Sequence, residues 1–223
     1  MIKLYTGTPG SGKSLHIAER IYYTLRCGRP VIANFPIDLK KVDKKGKKKL
    51  NFTEITNDGL TPSFLINYSR EYFIGKNVKE DAILLVIDEA QILYNAREWQ
   101  GLSKEIKDKN KELKAQGKEQ EMGWLAFYSQ HRKFGFEIVL IAQFDGMIDR
   151  QIRSLVEYEI KHRKLSNFGI AGFIMSWIFG FGKVFCAIQY WYPIQERVGC
   201  TFFIARKKYY QIYDTFKNWG DTR

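Results

Sequence analysis

The sequence predicts an α/β fold in which helices flank a mostly parallel β-sheet. The apolar opening of the chain, residues 1–6, leads into a glycine-rich loop and then into apolar residues that are spaced for one face of a helix. Residues 82–87 are six consecutive apolar residues, as expected of a parallel strand that is covered on both faces. A third buried strand is predicted at 137–142, which extends the sheet.

The loop after the first strand fits the phosphate-binding pattern G-x-x-x-x-G-K-[ST] without a gap. Its glycines let the backbone wrap closely around phosphates, and its N–H groups and the helix N-terminus then face the anion. Lys13 is expected to reach the β- and γ-phosphates of a nucleotide, and the Ser14 hydroxyl is expected to bind Mg²⁺. We therefore interpret the loop as the site of a P-loop NTPase, against the alternative of a glycine turn without function. The expected nucleotide-binding residues are Gly7, Thr8, Pro9, Gly10, Ser11, Gly12, Lys13 and Ser14.

The composition suits one α/β domain over residues 1–223 with its own core. Hydrophobic residues make up 45% of the chain, which excludes a disordered protein. The net charge of +12 favours an acidic partner, nucleic acid or an anionic membrane surface, over a protein that is merely soluble and basic. The three cysteines show no C-x-x-C spacing, so we expect buried thiols in a reducing compartment. We expect no signal peptide, because the glycine loop begins so close to Met1.

The next elements follow from local signals. The first helix is expected to end near Gly28, and residues 31–35 read as a second short strand. Seven lysines between 40 and 49 predict a solvated hairpin tip or loop, which is either a plain charged surface or a contact for nucleic acid or lipid phosphates. Thr61 and Pro62 are expected to open a helix that ends near Gly75.

The apolar run 82–87 ends in two carboxylates, Asp88 and Glu89, at the strand end where α/β sheets place ligands. Asp88 is expected to hold Mg²⁺, directly or through water, and Glu89 to polarise the water that attacks the γ-phosphate. A strand that ends in acidic residues is common by chance, but here it accompanies the phosphate loop. We therefore favour the catalytic interpretation.

The second half of the chain adds weaker candidates. Residues 103–120 are densely charged and predict an exposed insertion, and a helix is expected to follow over 124–131. Gln143, after the strand at 137–142, either senses the γ-phosphate and orients the water or simply caps the strand. A short helix is expected at 149–153. An alternating strand near the sheet edge is expected at 158–163, and 201–216 is expected to return to the sheet.

The stretch from 165 to 194 is almost uncharged. Residues 165–182 carry no charge and stand at the short edge of a transmembrane span, while 184–194 form a second uncharged limb after Lys183. We predict an apolar, hairpin-like insertion near the C-terminus of the domain. It either dips into the inner leaflet of a membrane or docks on a membrane partner or a neighbouring subunit. Packing in the core is the alternative.

The order of these parts resembles the zonular occludens toxin (Zot) family, which includes the filamentous-phage assembly ATPases. The resemblance lies in residues 5–14, 86–91, 131–143 and 152–158. It implies an ATPase that uses ATP and Mg²⁺ and forms a homo-oligomer, a hexamer by kinship with the FtsK–HerA pumps. It also implies export of single-stranded phage DNA, or its nucleoprotein complex, together with phage coat and export proteins.

The resemblance further implies a location at the host inner membrane, with the ATPase domain on the cytoplasmic side. Family members usually carry a transmembrane helix after this domain, and no conventional span is expected here before Arg223. Arg150 and Arg153 become candidates for an arginine finger that a neighbouring subunit supplies, and Arg153 matches the position in the family better. The alternative for both is a surface arginine on a short helix.

Other functions remain open at this point. A DNA-packaging or conjugation-type DNA pump shares the same motifs and would be favoured by a DNA-dependent ATPase rate. A small-molecule or nucleotide kinase is less favoured, because the long insertions are lysine-rich or apolar and do not resemble an arginine-bearing lid. A non-enzymatic adhesion or toxin module would leave the hydrolysis residues unexplained.

Overall fold

The computed structural model describes residues 1–43, 45–95, 108, 110–111, 113–115, 121–180 and 182–213. Most of the charged insertion predicted at 103–120 lies outside these residues. The strands are β1 (Ile2–Thr6), β2 (Val31–Ala33), β3 (Phe52–Glu54), β4 (Ile83–Ile87), β5 (Phe136–Ile141), β6 (Tyr158–Lys164), β7 (Val184–Trp191) and β8 (Glu196–Ile204). The helices are α1 (Lys13–Arg26), α2 (Leu39–Val42), α3 (Pro62–Tyr72), α4 (Trp124–Gln130), α5 (Arg150–Arg153), α6 (Gly169–Gly180) and α7 (Lys207–Tyr210).

The strands form one eight-stranded sheet in the order β3-β2-β4-β5-β1-β6-β7-β8. The six strands from β3 to β6 in this order run parallel, whereas β7 and β8 run antiparallel to their neighbours. Helices cover both faces of the parallel part, because strands that are joined through crossover helices place those helices on the faces. The predicted α/β fold with a mostly parallel sheet is confirmed.

The centre of the sheet is buried in apolar side chains on both faces, as β4 shows. Ile83, Leu85 and Ile87 pack into the core with α3, α4 and α5, while Leu84 and Val86 pack into the core with α1. Successive side chains of a strand point to opposite faces, so an unbroken apolar run is what a doubly covered strand needs. Each fully buried side chain of this size contributes about 1.5–3 kcal/mol of apolar transfer free energy.

Two predictions about elements need correction, and one strand was missed. The lysine-rich stretch begins with one helical turn, α2, because Asp38 caps it by accepting a hydrogen bond from the backbone N–H of Lys40 at 3.1 Å. The short strand β3 was not predicted. The strand β6 was expected near the sheet edge, and it lies inside the sheet because β7 and β8 extend the sheet beyond it. Of the thiols expected to be buried, Cys186 is buried but Cys27 is exposed.

The apolar stretch 165–194 is not a single hairpin. Its first limb forms a 3₁₀ turn (Leu165–Asn167) and α6, but its second limb is the sheet strand β7, with residues 184–187 buried. The hairpin prediction is therefore wrong for the second limb, since pairing with both β6 and β8 fixes it in the sheet. Within the described residues, no helix is long and apolar enough to cross a membrane. Of the stretch predicted to return to the sheet, residues 201–204 do so in β8.

Candidate functional site

The glycine-rich loop joins β1 to α1 and needs its glycines for physical reasons. Gly7 and Gly12 have φ values of 144° and 97°, which side-chain-bearing residues rarely adopt. A Cβ atom at Gly7 would lie 2.6 Å from the carbonyl oxygen of His162, and one at Gly12 would lie 2.6 Å from the Phe185 ring. The Gly7 N–H donates to the carbonyl oxygen of Gln143 at 3.0 Å. The loop is thus held against β5, β6 and β7 by close backbone approach.

Lys13 lies across this loop. Its ammonium group donates hydrogen bonds to the carbonyl oxygens of Gly7 and, at 3.3 Å, of Thr8. Burial lowers the pKa of Lys13, while the nearby charges of Asp88 and Glu89 act in the opposite direction. The loop lysine and the two carboxylates after β4 therefore share one electrostatic environment.

Asp88 is held in place from several sides. Its carboxylate accepts hydrogen bonds from the Glu89 N–H at 2.9 Å and from the hydroxyl of Tyr213. The Asn34 side chain, just after β2, accepts from the Asp88 N–H at 2.7 Å and donates to its carbonyl oxygen at 2.9 Å. Burial raises the pKa of Asp88, and the hydrogen bond from Tyr213 acts against this rise. The carboxylate is therefore fixed in position next to the loop lysine.

Glu89 lies where the chain leaves the sheet. Its φ of 48° places it in the left-handed region, which costs a non-glycine residue roughly 1–2 kcal/mol. Its carboxylate accepts a hydrogen bond from the side-chain amide of Gln91. Backbone strain of this kind is concentrated at functional sites, where the surrounding structure holds it. The Glu89 carboxylate is half-buried, and the neighbouring Asp88 is anchored by its own hydrogen bonds.

The weaker candidates are distributed differently. Gln143 lies beside the loop through its backbone carbonyl, and its side chain is exposed. Arg150 and Arg153 are not brought to the loop of the same chain, because α5 packs through Ile152 into the core on the face opposite α1. Arg153 forms an ion pair with Asp145 at 3.6 Å.

Sequence reasoning missed a pair of histidines beneath the loop. The Nδ1 of His162, on β6, donates to the carbonyl oxygen of Thr6 at 3.2 Å, so its Nε2 accepts from Nδ1 of His16 at 2.8 Å. The ring of Tyr5 packs on both, with ring centroids 5.2 Å and 4.9 Å away. Burial lowers the pKa of His16 to about 4 and that of His162 to about 3. Both imidazoles are therefore neutral supports of the loop.

Tyr213 and Asn34 were also missed. For Asn34 a usable signal existed, because it follows β2, the neighbour of β4, at the same carboxyl edge of the sheet. No local pattern points to Tyr213, which contacts Asp88 across 125 positions of the sequence.

The residues at this site fit a nucleoside triphosphate with Mg²⁺. The loop offers backbone N–H groups and the Lys13 ammonium group for phosphates, and the buried Ser11 hydroxyl has no hydrogen-bond partner among the described residues. Ser14 on α1 and Asp88 after β4 supply the hydroxyl and carboxylate oxygens that Mg²⁺ prefers.

A sequence model described as zonular occludens toxin (Zot) matches residues 1–184 of the chain. The chain belongs to the Zot family. No curated protein sequence matches this Zot-family chain. Among solved structures it is similar to the N-terminal domain of zonular occludens toxin from Neisseria meningitidis, at 18% identity and a TM-score of 0.52, with 96% of this chain and 98% of that chain covered.

The Zot-family chain is also similar to a solved ATPase domain of another protein, at 10% identity and a TM-score of 0.55, with 95% of this chain and 83% of that chain covered. A further similar structure is the genome packaging NTPase B204 from Sulfolobus turreted icosahedral virus 2, at 15% identity and a TM-score of 0.47, with 92% and 96% covered. The likeness to the Neisseria meningitidis domain and to the solved ATPase domain establishes the P-loop NTPase fold.

Proposed function

We propose that this Zot-family chain is an ATP-hydrolysing subunit of an oligomeric motor that assembles filamentous phage and extrudes its single-stranded DNA at the host inner membrane. The observation that carries the proposal is the shared electrostatic environment of Lys13, Asp88 and Glu89. It supports a phosphate-binding loop that acts together with the carboxylate to which we assign the activation of water. The phage coat and export proteins are the partners of such a motor.

Each residue has a separate task in this proposal. Lys13 neutralises the β- and γ-phosphates, while Ser14 and Asp88 hold Mg²⁺, which offsets phosphate charge when it is bound. Glu89 takes the proton of the attacking water. It follows Asp88 directly, its backbone is strained, and its carboxylate is half-buried. Among the described residues, no backbone N–H donates to this carboxylate, in contrast to that of Asp88. Gln143, beside the start of the loop, orients the water or senses the γ-phosphate.

Two substitutions test the site. Lys13→Ala should abolish nucleotide binding or turnover, whereas Glu89→Gln should keep binding of a fluorescent ATP analogue and lower hydrolysis by about 10²-fold or more. Lys76→Ala and Glu80→Gln are matched controls, since both side chains are exposed. Wild-type hydrolysis by Lys13→Ala would contradict the proposal. Equal loss of binding in Glu89→Gln would make Glu89 a metal or structural residue.

The oligomer is supported by the position of the arginines. Because α5 packs on the face opposite α1, Arg153 and Arg150 suit a contact in trans, where a neighbouring subunit supplies the charge for the γ-phosphate. Mixing Arg153→Ala subunits with Lys13→Ala subunits should restore part of the activity at interfaces that pair an intact loop with an intact arginine. No recovery after confirmed mixing would argue against a hexamer of this kind.

The exposed surface of α6 supports a membrane contact. Among the described side chains of this helix only Gly172 and Ser176, one turn apart, are buried, so nearly its whole circumference is apolar and exposed. No Asp or Glu occurs between Ile160 and Gln195, whereas four lysines and arginines do, which complements an anionic bilayer. We therefore include in the proposal that α6 dips into the inner leaflet from the cytoplasmic side. The exposed apolar side chains of α6 are Ile170, Phe173, Ile174, Met175, Trp177, Ile178 and Phe179.

Flotation with phosphatidylglycerol-containing vesicles tests the membrane contact. The double variant Ile174→Asp and Ile178→Asp should stay with the soluble fraction, because carboxylates in the interface are costly. Ile74→Asp, which changes an exposed isoleucine elsewhere, should float like the wild type. Flotation of the double variant at the wild-type level would exclude α6 as the membrane contact. Binding of the ATP analogue should be unchanged in all three proteins.

A further inference from the structure

The outer side of α1 carries a second chemical surface that the nucleotide site does not use. Here α1, the lysine-rich loop at 45–49 and α7 meet. We call this the basic tyrosine surface and define it by Tyr23, Arg26, Lys47, Lys49, Lys208 and Tyr210.

Specific contacts join the three segments. The Lys48 ammonium group donates to the carbonyl oxygen of Arg26 at 2.6 Å, which fixes the lysine-rich loop to the end of α1. The Lys208 ammonium group lies 4.8 Å from the ring centroid of Tyr22 and 5.5 Å from that of Tyr23, so α7 is held over the same helix. The surface is therefore an ordered feature of the fold and not a set of unrelated side chains.

The charge on this surface is strongly positive. Arg26 and the lysines of the loop are exposed. The acidic side chains nearby are already engaged with the chain itself. Asp43 accepts from the backbone N–H groups of Lys45 and Lys48 at 3.3 Å and 2.7 Å, and Asp38 pairs with Lys41 at 3.2 Å. Glu19 is a further carboxylate beside Tyr23 and Tyr209.

Exposed rings accompany the charge. Tyr23 is 48% exposed, and the Lys208 ammonium group lies 5.5 Å from its ring centroid. Tyr210 is 53% exposed and follows Lys208 by two positions on α7. Single-stranded nucleic acid is recognised by this combination, a positive surface for the phosphates and aromatic faces on which bases stack. A duplex keeps its base faces stacked inside and so offers no base face to an exposed ring.

We propose that the basic tyrosine surface binds single-stranded nucleic acid directly. The proposal deepens the proposed function by giving the exported strand a contact on this chain, and it rests on that function only for the identity of the strand. Loop and helix lysines contact the phosphates without reading sequence, and the tyrosine rings stack on bases.

The test is the binding of a fluorescein-labelled oligodeoxythymidine, measured by fluorescence anisotropy without nucleotide. The double variant Lys47→Glu and Lys49→Glu should bind roughly tenfold or more weakly, and the slope of log K against log salt should become shallower by about 1.4. Lys76→Glu with Lys79→Glu makes the same charge change at exposed positions after α3, and it should bind like the wild type. Equal effects of the two pairs would overturn the proposal.

The rings need their own variant. Tyr210→Ala should weaken oligonucleotide binding about fivefold or more, while Phe144→Ala, which removes a ring that is 57% exposed elsewhere, should not. A duplex that binds as tightly as the single strand would overturn the proposal. The proposal would also be overturned if the protein bound anionic vesicles through Lys47 and Lys49 but did not bind the oligonucleotide. Lys13→Ala should keep full oligonucleotide binding. The oligonucleotide result therefore tests this surface even if the ATPase proposal fails.

Discussion

Acidification should destabilise this protein through the histidine pair beneath the phosphate loop. His16 and His162 are neutral in the folded chain, with pKa values lowered to about 4 and about 3 by burial. The charges of Arg20 and Lys3 add to the lowering at His16. In the unfolded chain each imidazole has a pKa of about 6.5 and takes up a proton below that pH. Unfolding therefore binds protons between about pH 6.5 and the folded pKa values, and stability falls as the pH falls.

The expected loss can be worked out from these values. On acidification from about pH 7.5 to pH 5, each histidine is protonated in the unfolded chain but not in the folded chain below about pH 6.5. This interval of roughly 1.5 pH units lowers the free energy of unfolding by about 2 kcal/mol per histidine, at 1.36 kcal/mol per unit. The pair thus contributes about 4 kcal/mol, a large fraction of the stability of an ordinary domain. The pKa of His131 is also lowered by burial, so it adds loss in the same direction. Comparison with a variant isolates the contribution of the pair.

Urea denaturation at about pH 7.5 and pH 5 gives the measurement, with the wild type and His16→Gln compared at each pH. The variant should lose about 2 kcal/mol less on acidification than the wild type, because one of the two titrating groups is gone. An identical pH-dependent loss in the two proteins would refute the reasoning.

Three further substitutions should have distinct effects. Gly12→Ala should abolish nucleotide binding and lower the free energy of unfolding by about 2–4 kcal/mol in thermal denaturation. The reason is that the backbone φ is left-handed and that the added Cβ would clash with the Phe185 ring. Wild-type binding and stability would contradict this. Tyr213→Phe removes a hydrogen bond that acts against the raised pKa of Asp88 and holds its carboxylate in position, so hydrolysis should need more Mg²⁺. An unchanged Mg²⁺ titration would speak against the contact. Glu137→Gln leaves three cationic side chains without their shared carboxylate, so the free energy of unfolding should fall by about 3–5 kcal/mol. A fall below about 1 kcal/mol would show that these ion pairs do not stabilise the fold.

The parts of the fold that the sequence predicts are those with a local cause. The strand β4 is an unbroken apolar run, and β1 and β5 are mainly apolar, with Lys3, Thr6 and Glu137 as their polar residues. The loop before α1 has backbone requirements that only its glycine pattern meets. The carboxylates Asp88 and Glu89 were predictable as well, since the end of a buried parallel strand is where this architecture places ligands.

The parts that were missed depend on pairing across the chain. The strand β7 is an apolar run with no alternation, and only its pairing with β6 and β8 distinguishes it from a membrane limb. The contact between His16 and His162 joins positions 146 apart, and no spacing rule predicts such a contact. The interpretation of 165–194 as one hairpin failed for the same reason, because hydropathy alone does not specify the partner of an apolar segment.

Two of the three strands that hold the loop, β6 and β7, are also the two that α6 connects. His162 on β6 supports Gly7, and Phe185 on β7 packs against Gly12, while α6 joins the end of β6 to the start of β7. Deletion of the α6 region would therefore disturb the nucleotide site even if its only role were to contact a membrane, because the strands on both sides would lose their connection. For this reason exposed point substitutions such as Ile174→Asp separate the two roles. A loss of nucleotide binding in that variant would show that the contacts of α6 are transmitted to the loop through β6 and β7.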